Sequence, residues 1–471
     1  MSSGLPRPAD RSWWLEEALA LPEFAGEPCP PLHGDTTADV VILGGGYTGM
    51  WSAYFLKERE PDLDVVLLEQ DICGGGPSGR NGGFVNAFWD ELGLLLELYG
   101  EEGRRTAELA SRSIDDIGAW CERHGVDAWY AKTGDLGVAT SDAQDEVVRS
   151  VVEEAAANGI GHLYHAQSPE QVHARCDAPL LRGGVFVEDA AHVQPARLAR
   201  GLRRVLLERG VRIFEGTPVS RSSAHPRVVA ETPGGTVYAG RAVLGMNAWA
   251  TSWRAFRRSL MVRGTYIVTS APAPGVLEQM GWTGGEGIYD LRTSLHYLRT
   301  TLDGRIAFGG AGLRVAPKEI GARYRYHGPS VAALVGDFRR WFPAFEDVPF
   351  EAAWGGPVDV SGMHLPFFGT LPGGIAHYGL GFTGNGVGPC HLGGRILSGL
   401  ALRAEDEFTS LPLVGGAPKR FPPEPLFTPG ERLVSAAILR KDRLEDEGRR
   451  PSALTSALAR LPRRLGYNLG P

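Results

Sequence analysis

Three glycines at fixed spacing carry the first recognisable chemistry in this chain. Gly44, Gly46 and Gly49 stand as G-x-G-x-x-G between an apolar run, Val40 to Leu43, and a segment whose apolar residues Met50, Ala53, Tyr54 and Leu56 recur with helical spacing. A second apolar run, Val65 to Leu68, ends at Glu69, twenty residues after Gly49. In such a unit the first glycine makes a tight turn, the second lets backbone approach a pyrophosphate, and the third lets helix and strand close together. The helix start, with Tyr47 and Thr48, offers free N–H groups and partial positive charge to phosphates. An acid placed like Glu69 accepts hydrogen bonds from a ribose. A glycine triplet alone is a weak signal. With both strands, the helix and the acid, the unit reads as a dinucleotide site.

Two further stretches could meet the same ligand. After Glu69 come Gln70 and a loop nearly free of side chains, which then presents Ser78, Gly79, Arg80, Asn81, Gly82 and Gly83. Glycines at this density let backbone lie against a planar or phosphorylated ligand, and Ser78 and Asn81 can donate to its oxygens. Near the other end, His377 to Leu380 leads into Gly381, Thr383, Gly384, Asn385, Gly386 and Val387, and an apolar-faced helix follows. Between these stretches, Gly264–Thr269, Leu295–Arg299 and Arg305–Gly310 alternate with period two beside turn residues, as antiparallel strands do. They carry Tyr266, His296 and Tyr297, with Arg314 just past what reads as a Gly309–Gly312 turn. His192, just before a helix at Pro195, reads as a hydrogen-bonding residue at that helix start.

The elements that must position these residues suit an α/β chain. With 471 residues and 43% hydrophobic content it can form two intertwined domains. Its net charge of −7 and lack of a long basic block exclude nucleic acid as the main partner. Five scattered cysteines with no C-x-x-C pair speak against a disulfide framework or a structural zinc, and no other metal set stands out. There is no signal pattern and no run of eighteen apolar residues, so no transmembrane segment is expected and the reading is a cytoplasmic protein. Trp13 and Trp14 should pin the leader to the body. Leu92 to Trp120 recurs as helices. The tail reads as a proline-rich surface strap over 412–429, a solvated charged helix over 431–449, and a final leucine-bearing segment that packs on the body or on a partner subunit.

The opening unit, the Ser78–Gly83 loop and the Gly381–Val387 turn together resemble the D-amino-acid oxidase superfamily of FAD enzymes, in its glycine/sarcosine oxidase and γ-glutamylputrescine oxidase branch. The resemblance spreads over most of residues 38 to 403. It implies a Rossmann-type, glutathione-reductase-like FAD-binding domain intertwined with a substrate domain on a mixed or antiparallel sheet. The implied division is an arm at 1–37, FAD-binding parts at 38–90, 181–252 and 351–405, substrate-domain parts at 91–180 and 253–350, and a strap and helical tail at 406–471. Val219, Asn247 and Trp249 then join the cofactor-binding residues. The Tyr266, His296 and Tyr297 strands roof the flavin, and a one-residue register slip would exchange their faces. Arg314 falls at a place matching a lysine that helps oxygen react in the sarcosine-oxidase branch. Trp354 stands at or near the place where some relatives carry a flavin-linking cysteine, which implies non-covalent FAD with Cys390 as the reserve. Asn385 replaces the usual histidine, but the helix start behind it can still stabilise charge on reduced flavin.

The implied reaction is oxidation of a C–N bond of an amine or amino-acid derivative to an imine by hydride transfer to flavin N5, with O2 as acceptor giving H2O2. Sarcosine-type relatives hold a substrate carboxylate with an arginine and a lysine at places matching Asn86 and Gly388. Neither is cationic, which favours a small-molecule amine over an α-amino acid. The alternatives are a dehydrogenase of the same fold using another acceptor and a flavin-binding subunit of a larger complex. The tail suits a homo-oligomer contact.

Overall fold

The computed structural model describes residues 5–224, 226–314 and 320–468, with backbone alone for Arg7 and 311–314. The run Val40–Leu43 is buried because it is the middle of a sheet. The strand Thr36–Leu43 lies parallel between Val65–Leu68 and Gly235–Leu244, with Leu43 opposite both Leu68 and Leu244. Arg212–Phe214 extends this sheet on one side, and the Arg221–Ala224 and Val228–Thr232 strands extend it on the other. Ala376–Leu380 also joins Gly235–Leu244 in parallel. Four parallel strands therefore end together, at Gly44, Glu69, Gly245 and Gly381. Open parallel sheets bind ligands at such carboxyl ends.

A second sheet has nine strands, in the order Arg7–Pro8, Phe350–Ser361, Leu260–Ser270, Ile306–Arg314, His296–Thr300, Gly287–Asp290, Asp135–Val138, Gly184–Val187 and Tyr164–Gln167. It is mixed: its Arg7–Pro8/Phe350–Ser361 and Gly287–Asp290/Asp135–Val138 pairs are parallel and the rest antiparallel. Gly184–Val187 and Phe350–Ser361 thus belong to this sheet, although the expected division counts 181–252 and 351–405 with the cofactor domain. Sequence motifs mark where strands turn, not which sheet a strand joins. The expected Gly309–Gly312 turn is also strand. Glycine stands at 309 because the Tyr297 ring lies over it, and a Cβ there would meet that ring at 2.3 Å.

The helices follow the apolar periodicity. Leu109, Ile114, Ile117 and Trp120 form the buried face of Glu101–His124. The helix Val387–Leu402 crosses Tyr47–Arg59 so closely that a Cβ on Gly394 would meet the Trp51 Cβ at 2.5 Å. The leader is pinned as expected: Trp14 is fully buried, edge-on to Trp129 and Trp354. The tail departs from expectation. Its helix, Phe427–Asp446, is only partly exposed and docks one end on the body, where Asp442, 1% exposed, accepts hydrogen bonds from the Ser294 N–H and hydroxyl, and Asp446 pairs with Arg292 at 3.3 Å. The strap before it buries Phe421, on which Tyr467 stacks. Among the described residues no helix is long and apolar enough to cross a membrane.

Candidate active site

The carboxyl ends of the first sheet and one face of the second enclose a cavity of about 2330 Å³. At its dinucleotide end, Gly44 has φ +110°, and a Cβ on it would meet the Gly245 carbonyl oxygen at 2.5 Å. A Cβ on Gly49 would lie 2.0 Å from the Gly44 carbonyl oxygen, so only glycine lets the helix close on the strand. Gly46, Tyr47 and Thr48 line the cavity at the helix start, where the Tyr47 N–H donates to Ser78 Oγ at 2.8 Å. Glu69 accepts from the Gly45 and Asp71 N–H groups at 2.7 and 2.9 Å. Burial still outweighs these bonds and lifts its carboxyl to about 7. Gln70, Val219, Asn247 and Trp249 line the same cavity.

The loop is fixed by its own polar side chains. Asn81 donates to the Pro77 and Ser78 carbonyls and accepts from the Gly83 N–H. Arg80 is a buried strut, donating to the carbonyls of Gly75, Asp10 and Gly355, and its own carbonyl accepts from Trp354 Nε1. Ser78, Arg80, Asn81 and Gly82 reach the cavity, whereas Gly79 and Gly83 shape the loop behind it.

At the opposite end the helix Val387–Leu402 begins with no side-chain cap, so its first N–H groups open toward the cavity lined by Thr383, Gly384, Asn385, Gly386 and Val387. Asn385 Nδ2 donates to the Ala87 carbonyl, tying this turn to the Phe84–Ala87 segment. Gly381 stands just behind, its N–H donating to Asp359 at 2.6 Å. Cys390 also faces the cavity, but burial pushes its thiol up to about 12, which keeps it protonated and a poor nucleophile toward a flavin.

The roof sheet settles the register. Tyr297 points into the cavity, its hydroxyl 2.8 Å from Thr265 Oγ1. Tyr266 and His296 both sit opposite Gly310 and face the other way. Tyr266 donates to the Arg323 carbonyl, and His296 lies between Asp290 and Asp337 at 2.7 and 3.2 Å. This removes both from the cavity. The Arg314 side chain lies outside the described residues. His192 is buried against Asp135 at 2.8 Å, as a structural pair.

Two lining residues escaped the sequence reading. Asp359 accepts from Asn247 Nδ2 and the Gly381 N–H, and burial lifts its carboxyl to about 7. A lone acid in the apolar run Val358–Val360 was the available signal. Arg263 shares the cavity face, with Glu431 of the tail helix as a supporting opposite charge. Non-glycine residues with positive φ also gather here: Asn247, His364 and Thr383, at 47°, 63° and 55°. Such conformations cost about 1 kcal/mol or more each and concentrate at ligand sites.

These features fit FAD. They comprise a ribose-ready acid, a helix start at a glycine turn, a second uncapped helix start, and a buried Asn86 Oδ1 with no hydrogen-bond partner. A family model for FAD dependent oxidoreductases matches residues 39–400. The chain belongs to that family, and FAD is its cofactor. Among curated proteins it is 29% identical over 410 residues to the probable oxidoreductase OrdL of Rhizobium meliloti, covering 85% of this chain and 90% of that one. It is 28% identical to the gamma-glutamylputrescine oxidoreductase of Escherichia coli, covering 84% and 92%. Among solved structures, glycine oxidase from Geobacillus kaustophilus superposes with a TM-score of 0.65 at 22% identity, over 80% of this chain and 98% of that one.

Proposed function

We propose that this protein oxidises the C–N bond of an amine to an imine with O2 as acceptor, in the cytoplasm. Bound FAD supplies the two-electron chemistry, and the chain's residues orient the amine and exclude water. In this reading Glu69 holds the adenosine ribose, the Gly44–Gly49 turn and Ser78 hold the phosphates, and the Val387–Leu402 helix start faces the flavin ring. Tyr297 and Thr265 cover the reacting carbon. The Tyr297 hydroxyl, pushed up to about 12 by burial, stays protonated and acts as a donor, not a base. No general base is required when the amine binds neutral.

The observation that carries the amine reading is the contact between Asn86 and Gly388. These are the places where the resemblance puts carboxylate-binding cations. Here a Cβ on Gly388 would lie 2.5 Å from the Asn86 carbonyl oxygen, so no lysine fits. The same proposal assigns FAD to residues 38–90, 195–252 and 362–405, and the substrate side to 91–194 and 253–361, following sheet membership. Exposed Leu433, Leu439 and Leu454 on the tail are the surface for a homo-oligomer. The test is a substrate panel with peroxide detection: putrescine, γ-glutamylputrescine, N-methyl amines, glycine and sarcosine. Peroxide with an amine and little with glycine or sarcosine is expected. Efficient turnover of sarcosine or glycine would overturn the amine reading. Turnover with an artificial acceptor but not with O2 would make the protein a dehydrogenase.

A further inference from the structure

The cavity continues past Asn86 into a region whose lining the reaction does not use. There the segment Trp89–Glu91 leads into the helix Leu92–Tyr99. Glu91 is 9% exposed, lines the cavity, and its Oε2 has no hydrogen-bond partner. It precedes a helix, yet its side chain makes no capping bond, so a helix cap does not account for it. Asp90 beside it is exposed and also lines the cavity. Its Oδ1 accepts from the Tyr164 hydroxyl at 2.7 Å. Tyr289 closes this end, its ring lying over Gly137.

Among the described residues neither Asp90 nor Glu91 has an ion-pair partner. Other buried acids here do have partners: Asp359 is held by the Asn247 amide and the Gly381 N–H, and several more meet a basic side chain. Glu215 meets Arg200 and Arg203, Asp135 meets His192, and Asp290 meets His296. A buried carboxyl without a cation, as at Glu91, is costly. Desolvation lifts both; the Asp90 charge adds to the rise at Glu91, to about 8, and the charges of Asp135 and Glu154 add to that at Asp90. Glu91 Oε2 thus faces the cavity with no partner from the described residues.

The geometry gives a cation held there a place on the substrate. Tyr289 sits directly across from Tyr297, and Tyr297 lies over Gly309 and against Gly82 of the flavin loop. From the Ile306–Arg314 strand to Gly287–Asp290 is two strand spacings, about 10 Å. Exposed Glu97 and Glu154 line the same end and would steer a cation inward.

We propose that Asp90 and Glu91, with Tyr164 and Tyr289, form a subsite for a second, cationic amino group of the substrate, which is then a diamine or oligoamine oxidised at its other end. This rests on the C–N reading above and narrows it. The ammonium donates to both carboxylates, and its carbon chain runs over Tyr289 toward Tyr297.

The test compares 1,4-diaminobutane with 1-aminobutane on the FAD-loaded protein, by calorimetric Kd and by kcat/KM. The wild type should favour the diamine by tenfold or more, expressed in Kd and KM, not in kcat. Glu91→Gln and Asp90→Asn should each erase most of that preference and leave the monoamine within about twofold. A wild type that binds both amines equally, or variants that weaken both equally, would overturn the subsite. The wild-type comparison needs no variant to fold. Diamine-selective binding that fails to reduce the flavin would keep the subsite and sink the C–N reading. Flavin reduction by amines without diamine preference would do the reverse.

Discussion

Glu69 and His296 show how surroundings set charge in this protein, burial at one and paired acids at the other, and each yields a pH dependence. Glu69 is lifted to about 7 in the open site. Ribose hydroxyls that donate to it favour the ionised form, so FAD binding releases a proton. FAD affinity should thus hold above pH 7 and fall below it, by up to about tenfold per unit. Equilibrium dialysis of apoprotein between pH 5.5 and 8 reads this. Glu69→Gln should flatten the slope while Asp359→Asn keeps it; an unchanged slope in Glu69→Gln would show that Glu69 does not hold the ribose. His296 runs the other way. Asp290 and Asp337 raise it to about 9 against the desolvation that lowers it. A raised histidine stabilises the fold fully below its unfolded pKa of about 6.5. That contribution, at most about 3 kcal/mol, is lost as pH rises through 9. Chemical denaturation of His296→Gln should lack the decline between pH 7 and 9 that the wild type shows, and its flavin reduction should change less than that of Tyr297→Phe. The sequence offered Tyr266, His296 and Tyr297 without choosing among them. Alternation puts neighbours on opposite faces, but nothing local says which face is inward. Gly309, which admits the Tyr297 ring, decides it.

Among the elements, the glycine turns were readable because each answers a local steric demand: Gly44 for positive φ, Gly49 for helix–strand contact. The strand through Gly309–Gly312 was not, since its glycines serve a ring on the neighbouring strand. The tail helix was readable from its charges, but its docking was not: nothing local showed that Asp442 meets Ser294, 148 residues away in sequence. Asp442→Ala strips both Ser294 donors of their acceptor, a loss worth about 1–3 kcal/mol. Hydrogen exchange should rise across 427–446 with the central strands unchanged. Because that helix lines the cavity, KM should rise more than kcat falls. Unchanged exchange in the helix would mean that the apolar strap alone holds it.

Across the whole molecule, the dinucleotide unit, the loop and the C-terminal turn converge from residues 44, 78 and 385 on one cavity. The first of them alone indicated a dinucleotide site, and the resemblance that all three carry to a family of FAD enzymes implied FAD and two intertwined domains. The assignment of Gly184–Val187 and Phe350–Ser361 to the second sheet was not legible, because pairing partners far apart in sequence leave no local trace. Arg263, Asp90 and Glu91 stayed hidden for the same reason: each reads as an ordinary charge until the sheet face and the buried wall meet around it. The central claim is that this site oxidises an amine with FAD. Its most direct test is the visible spectrum of the purified protein before and after anaerobic addition of a diamine. We expect a yellow protein that bleaches, then regains its colour with peroxide when air is admitted. A colourless protein that takes up no added FAD, or a flavin that no amine bleaches, would contradict it.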